Sequence, residues 1–187
     1  MTYKLKLYIP RFVRFKILLI FVSLYTTTPE WVYGESNLHL FGALVAEPCV
    51  IPPGEEDITL DFGTIVDKYI YQNGRTSSES FNLHLTECDL SLGKTVKATF
   101  MGTESNTLPG FLALNVGSQA SGVAIGLETQ QGKQLLINET SEQYILQEGE
   151  NLISLNAYVQ GEPEAIRNKD IGRGSFSATA TFSLEYE

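Results

Sequence analysis

The sequence predicts an all-β domain, a sandwich or barrel, and three observations carry that expectation. Short segments alternate apolar and polar residues with a period of two, turn-forming pairs separate them, and no segment holds a helical period over three turns. Ile58-Thr59-Leu60-Asp61-Phe62 is the first alternating segment. Phe81-Asn82-Leu83-His84-Leu85 is the second and leads into Cys88. Val96-Lys97-Ala98-Thr99-Phe100 repeats the pattern. Leu112 to Val116, Val123 to Leu127 and Leu152 to Val159 are further short apolar runs. Between them fall Pro52-Pro53-Gly54, Asn73-Gly74, Leu92-Gly93, Pro109-Gly110, Gln131-Gly132 and Glu148-Gly149, residues that pre-set or tolerate the dihedrals of tight turns. Asn168 to Gly174 reads as a loop inside the domain, because a long strand follows it.

That last segment is the most regular. From Ser175 onward, Phe176, Ala178, Ala180, Phe182, Leu184 and Tyr186 share one face, and Ser175, Ser177, Thr179, Thr181, Ser183 and Glu185 share the other. A slip of one residue would bury the polar set, so the register is strongly specified. Near the other end, Leu38, Leu40, Gly42, Leu44 and Ala46 alternate with Asn37, His39, Phe41, Ala43 and Val45, and Pro48 interrupts any continuation. This stretch is apolar at nearly every residue. It reads either as a first strand of the same domain or as a strand given to another chain, leaving its own domain one strand short.

The first residues have the order of a secretory signal peptide. Lys4, Lys6, Arg11, Arg14 and Lys16 make a basic start, an apolar run extends from Ile17 to Leu24, and small or turn-forming residues lead to Gly34. The apolar run is well short of the roughly 20 residues a membrane helix needs, which weighs against a membrane anchor. The division expected is a signal peptide over residues 1–34, an extension over 35–47 and one domain over 48–187. The whole chain holds 13 basic and 22 acidic residues; without the five basic residues and Glu30 of the leader, eight face 21, a net of −13. Such a surface repels nucleic acid and anionic membrane and suits a basic partner surface. Cys49 and Cys88 remain in a chain marked for export, where a disulfide is the default. It would close a loop of about 40 residues, stabilising by roughly 3–4 kcal/mol in the chain-entropy model.

Several residue groups together resemble a known family. They are Phe41-Gly42 with Pro48-Cys49 following, Phe62-Gly63, Ser80-Phe81 leading to Cys88, Phe100 with Gly102-Thr103, and Gly174 to Phe182 with Tyr186 close behind. In these the chain resembles pilin subunits of the chaperone–usher pathway, of the type 1 and P pilus kind. Glu79-Ser80-Phe81, Leu108-Pro109-Gly110 and Ala157-Tyr158-Val159 with Pro163-Glu164-Ala165 resemble the minor, adaptor-type subunits more than the rod pilin. The resemblance implies an incomplete immunoglobulin-like sandwich that lacks its seventh strand. It implies a furrow beside Phe176, Ala178, Ala180, Phe182, Leu184 and Tyr186, filled first by a periplasmic chaperone. At an outer-membrane usher the extension of the next subunit would replace the chaperone's strand. Leu38, Leu40, Gly42, Leu44 and Ala46 would be the inward-facing residues of this chain's own extension, with Gly42 where the backbones approach too closely for a Cβ. The implied partners are the chaperone, the usher and neighbouring fimbrial subunits, and the implied destination is a fimbria at the cell surface, reached through the periplasm.

Rival classes find less support. His39 and His84 are the two histidines, and neither has a serine, cysteine or paired carboxylate around it in a catalytic pattern. Glu55, Glu56 and Asp57 read as a solvated turn. No enzyme activity, cofactor, metal or nucleic-acid partner is expected, nor a small-molecule ligand. The alternative is a single-domain adhesin or carbohydrate-binding module at the fimbrial tip; a two-domain adhesin is disfavoured, because the pilin-like segment directly follows the leader and leaves no room for a separate lectin domain.

Overall fold

A computed structural model of the protein describes Leu38 and residues 40–187. The expected signal peptide lies outside the described residues, as do residues 35–37 and His39 of the expected extension. Leu38 and residues 40–46 belong to no helix or strand, and the compact unit runs over Leu44–Glu187. In chain order its elements are α1 (Asp67–Asn73), β1 (Glu79–Cys88), β2 (Thr95–Gly102), β3 (Val123–Thr129), β4 (Gln134–Leu135), β5 (Tyr144–Ile145), β6 (Gly149–Gly161), α2 (Pro163–Asn168) and β7 (Ala180–Tyr186).

The strands form two antiparallel sheets, ordered β1-β6-β3-β4 and β5-β2-β7. Alternation puts one face of each sheet inward. Leu83 and Leu85 of β1, Val96, Ala98 and Phe100 of β2, and Ile153, Leu155, Ala157 and Val159 of β6 are all buried. Aromatic rings link the layers. Phe81 packs edge-on against Phe100 (6.2 Å between centroids), and Phe100 lies 6.4 Å from Phe182 of β7. Side chains in such pairs gain about 0.5–1.5 kcal/mol beyond their area.

Four expectations need correction. The alternation of Ile58 to Phe62 is present, since Leu60 and Phe62 are half-buried and Thr59 and Asp61 exposed, but the segment joins no ladder among the described residues. Asp61 turns the chain instead, accepting the Gly63 N–H at 2.8 Å. Leu112 to Val116 is not a strand; Leu112 alone bridges Glu104 and Ile125. The last strand begins at Ala180 rather than Ser175, because its partner β2 ends at Gly102, opposite Ala180. Residues 175–179 are held by loop 115–120: Asn115 N–H donates to Ser177 O, and its side-chain amide donates to the Ser177 and Thr179 hydroxyls. The two helices were not anticipated. Each is too short to show a period, and Asn73-Gly74 is the end of α1, where Gly74 at φ 81° donates to Ile70 O.

On the outer face of the larger sheet, an ion pair pins the link between α1 and β1. Arg75 donates to both carboxylate oxygens of Glu128 (2.9 and 3.0 Å), and the Ser78 hydroxyl donates to the same carboxylate at 2.6 Å. The guanidinium stacks 3.6 Å over the Tyr158 ring, which Phe111 closes edge-on. Tyr158 lies flat across Gly126, where a Cβ would come within 2.4 Å of the ring; the absent side chain is what makes this packing possible. Glu128 is only 6% exposed. The Arg75 hydrogen bonds hold its carboxyl below the ordinary value, outweighing the opposing effect of burial, with Ser78 assisting. Its contribution is therefore present above the unfolded-state pKa and lost as pH falls through the lowered folded-state value. Glu128→Gln leaves the guanidinium without its counter-charge and should cost about 2–3 kcal/mol at pH 7, somewhat less than a fully buried pair. Urea unfolding of the full chain should show that deficit at pH 7 and a smaller one at pH 3.

Candidate functional site: an open furrow beside the last strand

β7 is an edge strand with an apolar face that its own domain does not cover. Phe182, Leu184 and Tyr186 are half-buried, as are Phe176, Ala178 and Ala180, although Val96, Ala98 and Phe100 on the neighbouring β2 are almost wholly enclosed. Full burial of a large apolar side chain contributes roughly 1.5–3 kcal/mol, so a part of that remains unrealised here.

The backbone of β7 is open on the same side. Glu187 and Thr95 exchange both N–H···O bonds (3.0 and 3.1 Å), and the register continues through Lys97↔Glu185, Thr99↔Ser183 and Met101↔Thr181. In an antiparallel ladder such hydrogen-bonded pairs recur at every second residue. The odd residues therefore bond to β2, and Ala180, Phe182, Leu184 and Tyr186 direct their N–H and C=O outward. No described residue meets those groups. The residues with unpaired backbone are thus the residues with the apolar face.

The facing bank is the segment 58–65, which turns at Asp61–Gly63. Phe62 packs 6.3 Å from Phe176, and Leu60 and Ile65 lie against the same core. At the other end, Pro48 and Tyr186 close on Gly93, where a Cβ would come within 2.8 Å of Pro48 and 3.4 Å of Tyr186. Burial, with Glu47 nearby, pushes the Tyr186 hydroxyl upward. At the Phe176 end a cavity of about 190 Å³ is lined by Ile65, Ile70, Val123, Ile171 and Phe176. The Arg173–Asp67 ion pair (2.6 Å) borders it, and Arg173 holds the Asp67 carboxyl below its ordinary value.

The sequence-predicted residues divide between two places. Phe176, Ala178, Ala180, Phe182, Leu184 and Tyr186 line the furrow on one continuous face. Leu38, Leu40, Gly42, Leu44 and Ala46 are exposed, and a Cβ at Gly42 would meet nothing within 4 Å. The facing bank was not anticipated as part of the site; the alternation of Ile58 to Phe62, with no obvious strand to pair with, was the available signal. His84 lies 3.0 Å from Glu55.

An antiparallel sandwich whose apolar edge strand is left uncovered by the described residues has the geometry of a structural assembly subunit. The sequence matches the fimbrial protein family over residues 38–187, and the chain belongs to that family. It is 35% identical over 157 residues to the fimbrial adapter PapK of Escherichia coli, covering 81% of this chain and 88% of that protein. It is 30% identical over 155 residues to the major MR/P fimbria protein of Proteus mirabilis strain HI4320, covering 82% and 85%. The solved structure of a chaperone–usher pilus superimposes with a TM-score of 0.65 at 26% identity, covering 86% of this chain and all of that one. The protein is a structural subunit of a chaperone–usher pilus, with an incomplete immunoglobulin-like sandwich, and not an enzyme. Its place is a pilus at the cell surface, assembled with other pilus subunits.

Cys49 and Cys88 form a disulfide with Cα atoms 4.1 Å apart. It fixes the start of the domain to the end of β1, next to the Val50–Thr86 bridge, and so anchors the chain leading to the facing bank. Removing a native disulfide from a small secreted domain costs about 2–5 kcal/mol. Cys88→Ser should therefore reduce accumulation of the subunit sharply. Thiol titration of the wild-type protein under denaturing, non-reducing conditions should find no free thiol.

Proposed function

We propose that the subunit polymerises by donor-strand exchange, accepting a strand in the furrow and donating its own extension to a neighbour. The observation that carries this reading is the coincidence of unpaired backbone with uncovered apolar face at Ala180, Phe182, Leu184 and Tyr186. An added strand satisfies both at once: main-chain bonds supply affinity and side-chain pockets supply register. Ala178 and Ala180 leave space for incoming side chains between Phe176 and Phe182. Before assembly, a periplasmic chaperone fills the furrow with a strand of its own, and exchange takes place at an outer-membrane usher. The donor strand of this chain is the extension over residues 35–47, with Leu38, Leu40, Gly42, Leu44 and Ala46 facing inward. Its likeness to the adapter PapK favours a minor, adaptor-type position. In that position it contributes to adhesion by linking other subunits.

Export of the subunit with and without a cognate chaperone tests the reading. Without the chaperone it should aggregate or be degraded, because an open edge over an apolar floor is an aggregation template. Phe182→Asp or Tyr186→Asp should abolish capture by the chaperone, whereas Gly42→Leu should leave capture intact and block incorporation into the neighbour. Chaperone capture that survives Phe182→Asp, together with a stable monomer in the chaperone's absence, would sink the missing-strand account.

A further inference from the structure

The sandwich has a second gap, in the larger sheet beside β6, facing β5, the edge strand of the smaller sheet opposite β7. β3 accompanies β6 only as far as Thr129↔Leu155, and the chain then turns through Gln130 and Gln131 into β4. β6 continues to Gly149 with β1 on one side and, among the described residues, no strand on the other. Two bonds fix the direction of its backbone groups. Val159 O accepts Thr76 N–H on the β1 side, and Glu162 N–H donates to Gly122 O on the β3 side, both at 2.9 Å. Alternation along β6 then turns the N–H and C=O of Leu152 and Ser154 into the gap where β3 has ended. No described residue meets them.

The gap is a cleft of about 340 Å³. Its opposite wall is Tyr144 to Gln147, held in place where Gln147 N–H donates to the Asn151 side chain and Asn151 returns a bond to Gln147 O, both at 2.8 Å. Ile145 and Leu152 line it at 84% and 61% exposure. Gln130 and Gln131 at its rim can both donate and accept. Glu150 lines it, whereas the Glu148 carboxylate lies outside the lining and accepts the Leu90 N–H at 3.3 Å. Neither has an ion-pair partner among the described residues.

We propose that this cleft is a second strand-docking site, which holds a short extended segment with basic and apolar residues from another subunit of the same pilus. The unpaired strand edge calls for peptide backbone, the exposed Ile145 and Leu152 for apolar side chains, and the unneutralised Glu150 for a basic one. Because β5 and β7 flank β2 on opposite sides, the cleft remains open when the furrow is filled. It would give the subunit a contact beyond the partners with which it exchanges strands. The inference rests on membership of the fimbrial family and is independent of the furrow reading.

Photocrosslinking in cells that assemble pili tests it on the full chain. Benzoylphenylalanine replaces Ile145, Leu152 or, as a furrow control, Ser183, and adducts are mapped by mass spectrometry. Adducts from positions 145 and 152 should map to a segment bearing Lys or Arg in another pilus subunit. Glu150→Lys should lower them roughly fivefold and leave the Ser183-position adduct unchanged. Assembled pili that give the control adduct but none from positions 145 and 152 would overturn the proposal and leave the furrow reading intact. Adducts outside the pilus, or adducts indifferent to the charge reversal, would overturn it as well. Cleft adducts without the control adduct would instead fault the furrow reading alone.

Discussion

A backbone N–H or C=O that a sheet leaves unpaired must find water or another donor or acceptor, and β7 presents, over an apolar floor, four residues whose outward groups no described residue meets. Water can satisfy the polar groups but not the half-buried Phe182, Leu184 and Tyr186 beside them. A detached apolar ligand could cover the side chains but not the backbone. An extended chain meets both demands. The register with β2 leaves no freedom in this: Thr95 and Glu187 bond to each other, so the even residues of β7 face outward.

The rest of the domain holds that edge rigid. The disulfide ties residue 49 to the end of β1, and Pro48 and Tyr186 meet on Gly93, which fixes one end of the furrow. At the other end, loop 115–120 grips residues 175–179 through hydroxyls and amides rather than through a ladder, and Phe62 meets Phe176. The Arg75–Glu128 pair fixes the far face, where the chain passes from α1 into β1. A furrow held this way loses little further entropy when a strand enters, so more of the binding free energy is available to hold the strand.

Much of this was legible in the residues, for reasons that also mark the limits. Phe81–Leu85, Val96–Phe100 and Leu152–Val159 announce themselves because each has both a buried face and a ladder partner. Ile58 to Phe62 shows the same alternation and reports burial at Leu60 and Phe62, though not at the exposed Ile58. Alternation cannot report a partner, and this segment has none among the described residues. The apolar set from Phe176 to Tyr186 was readable as one face, but the point where pairing starts depends on where β2 stops. The helices, of seven and six residues, are shorter than the window of about 11 residues over which a helical period shows. Burial of Glu128 was not legible, since an acid in a strand reads as solvated until Arg75, Ser78 and Tyr158 are brought to it. The cleft beside β6 was also hidden, because it exists only where β3 ends early.

The alternating openness of β7 is the account's central claim, and residue-resolved amide hydrogen exchange addresses it most directly. The subunit, refolded at low concentration without a donor, should show fast exchange at Phe182, Leu184 and Tyr186 and slow exchange at Ser183 and Glu185. Filling the furrow with a donor strand should bring the even amides to the protection of the odd ones. Equal protection of both sets before any strand is supplied would contradict the claim that this domain is one strand short.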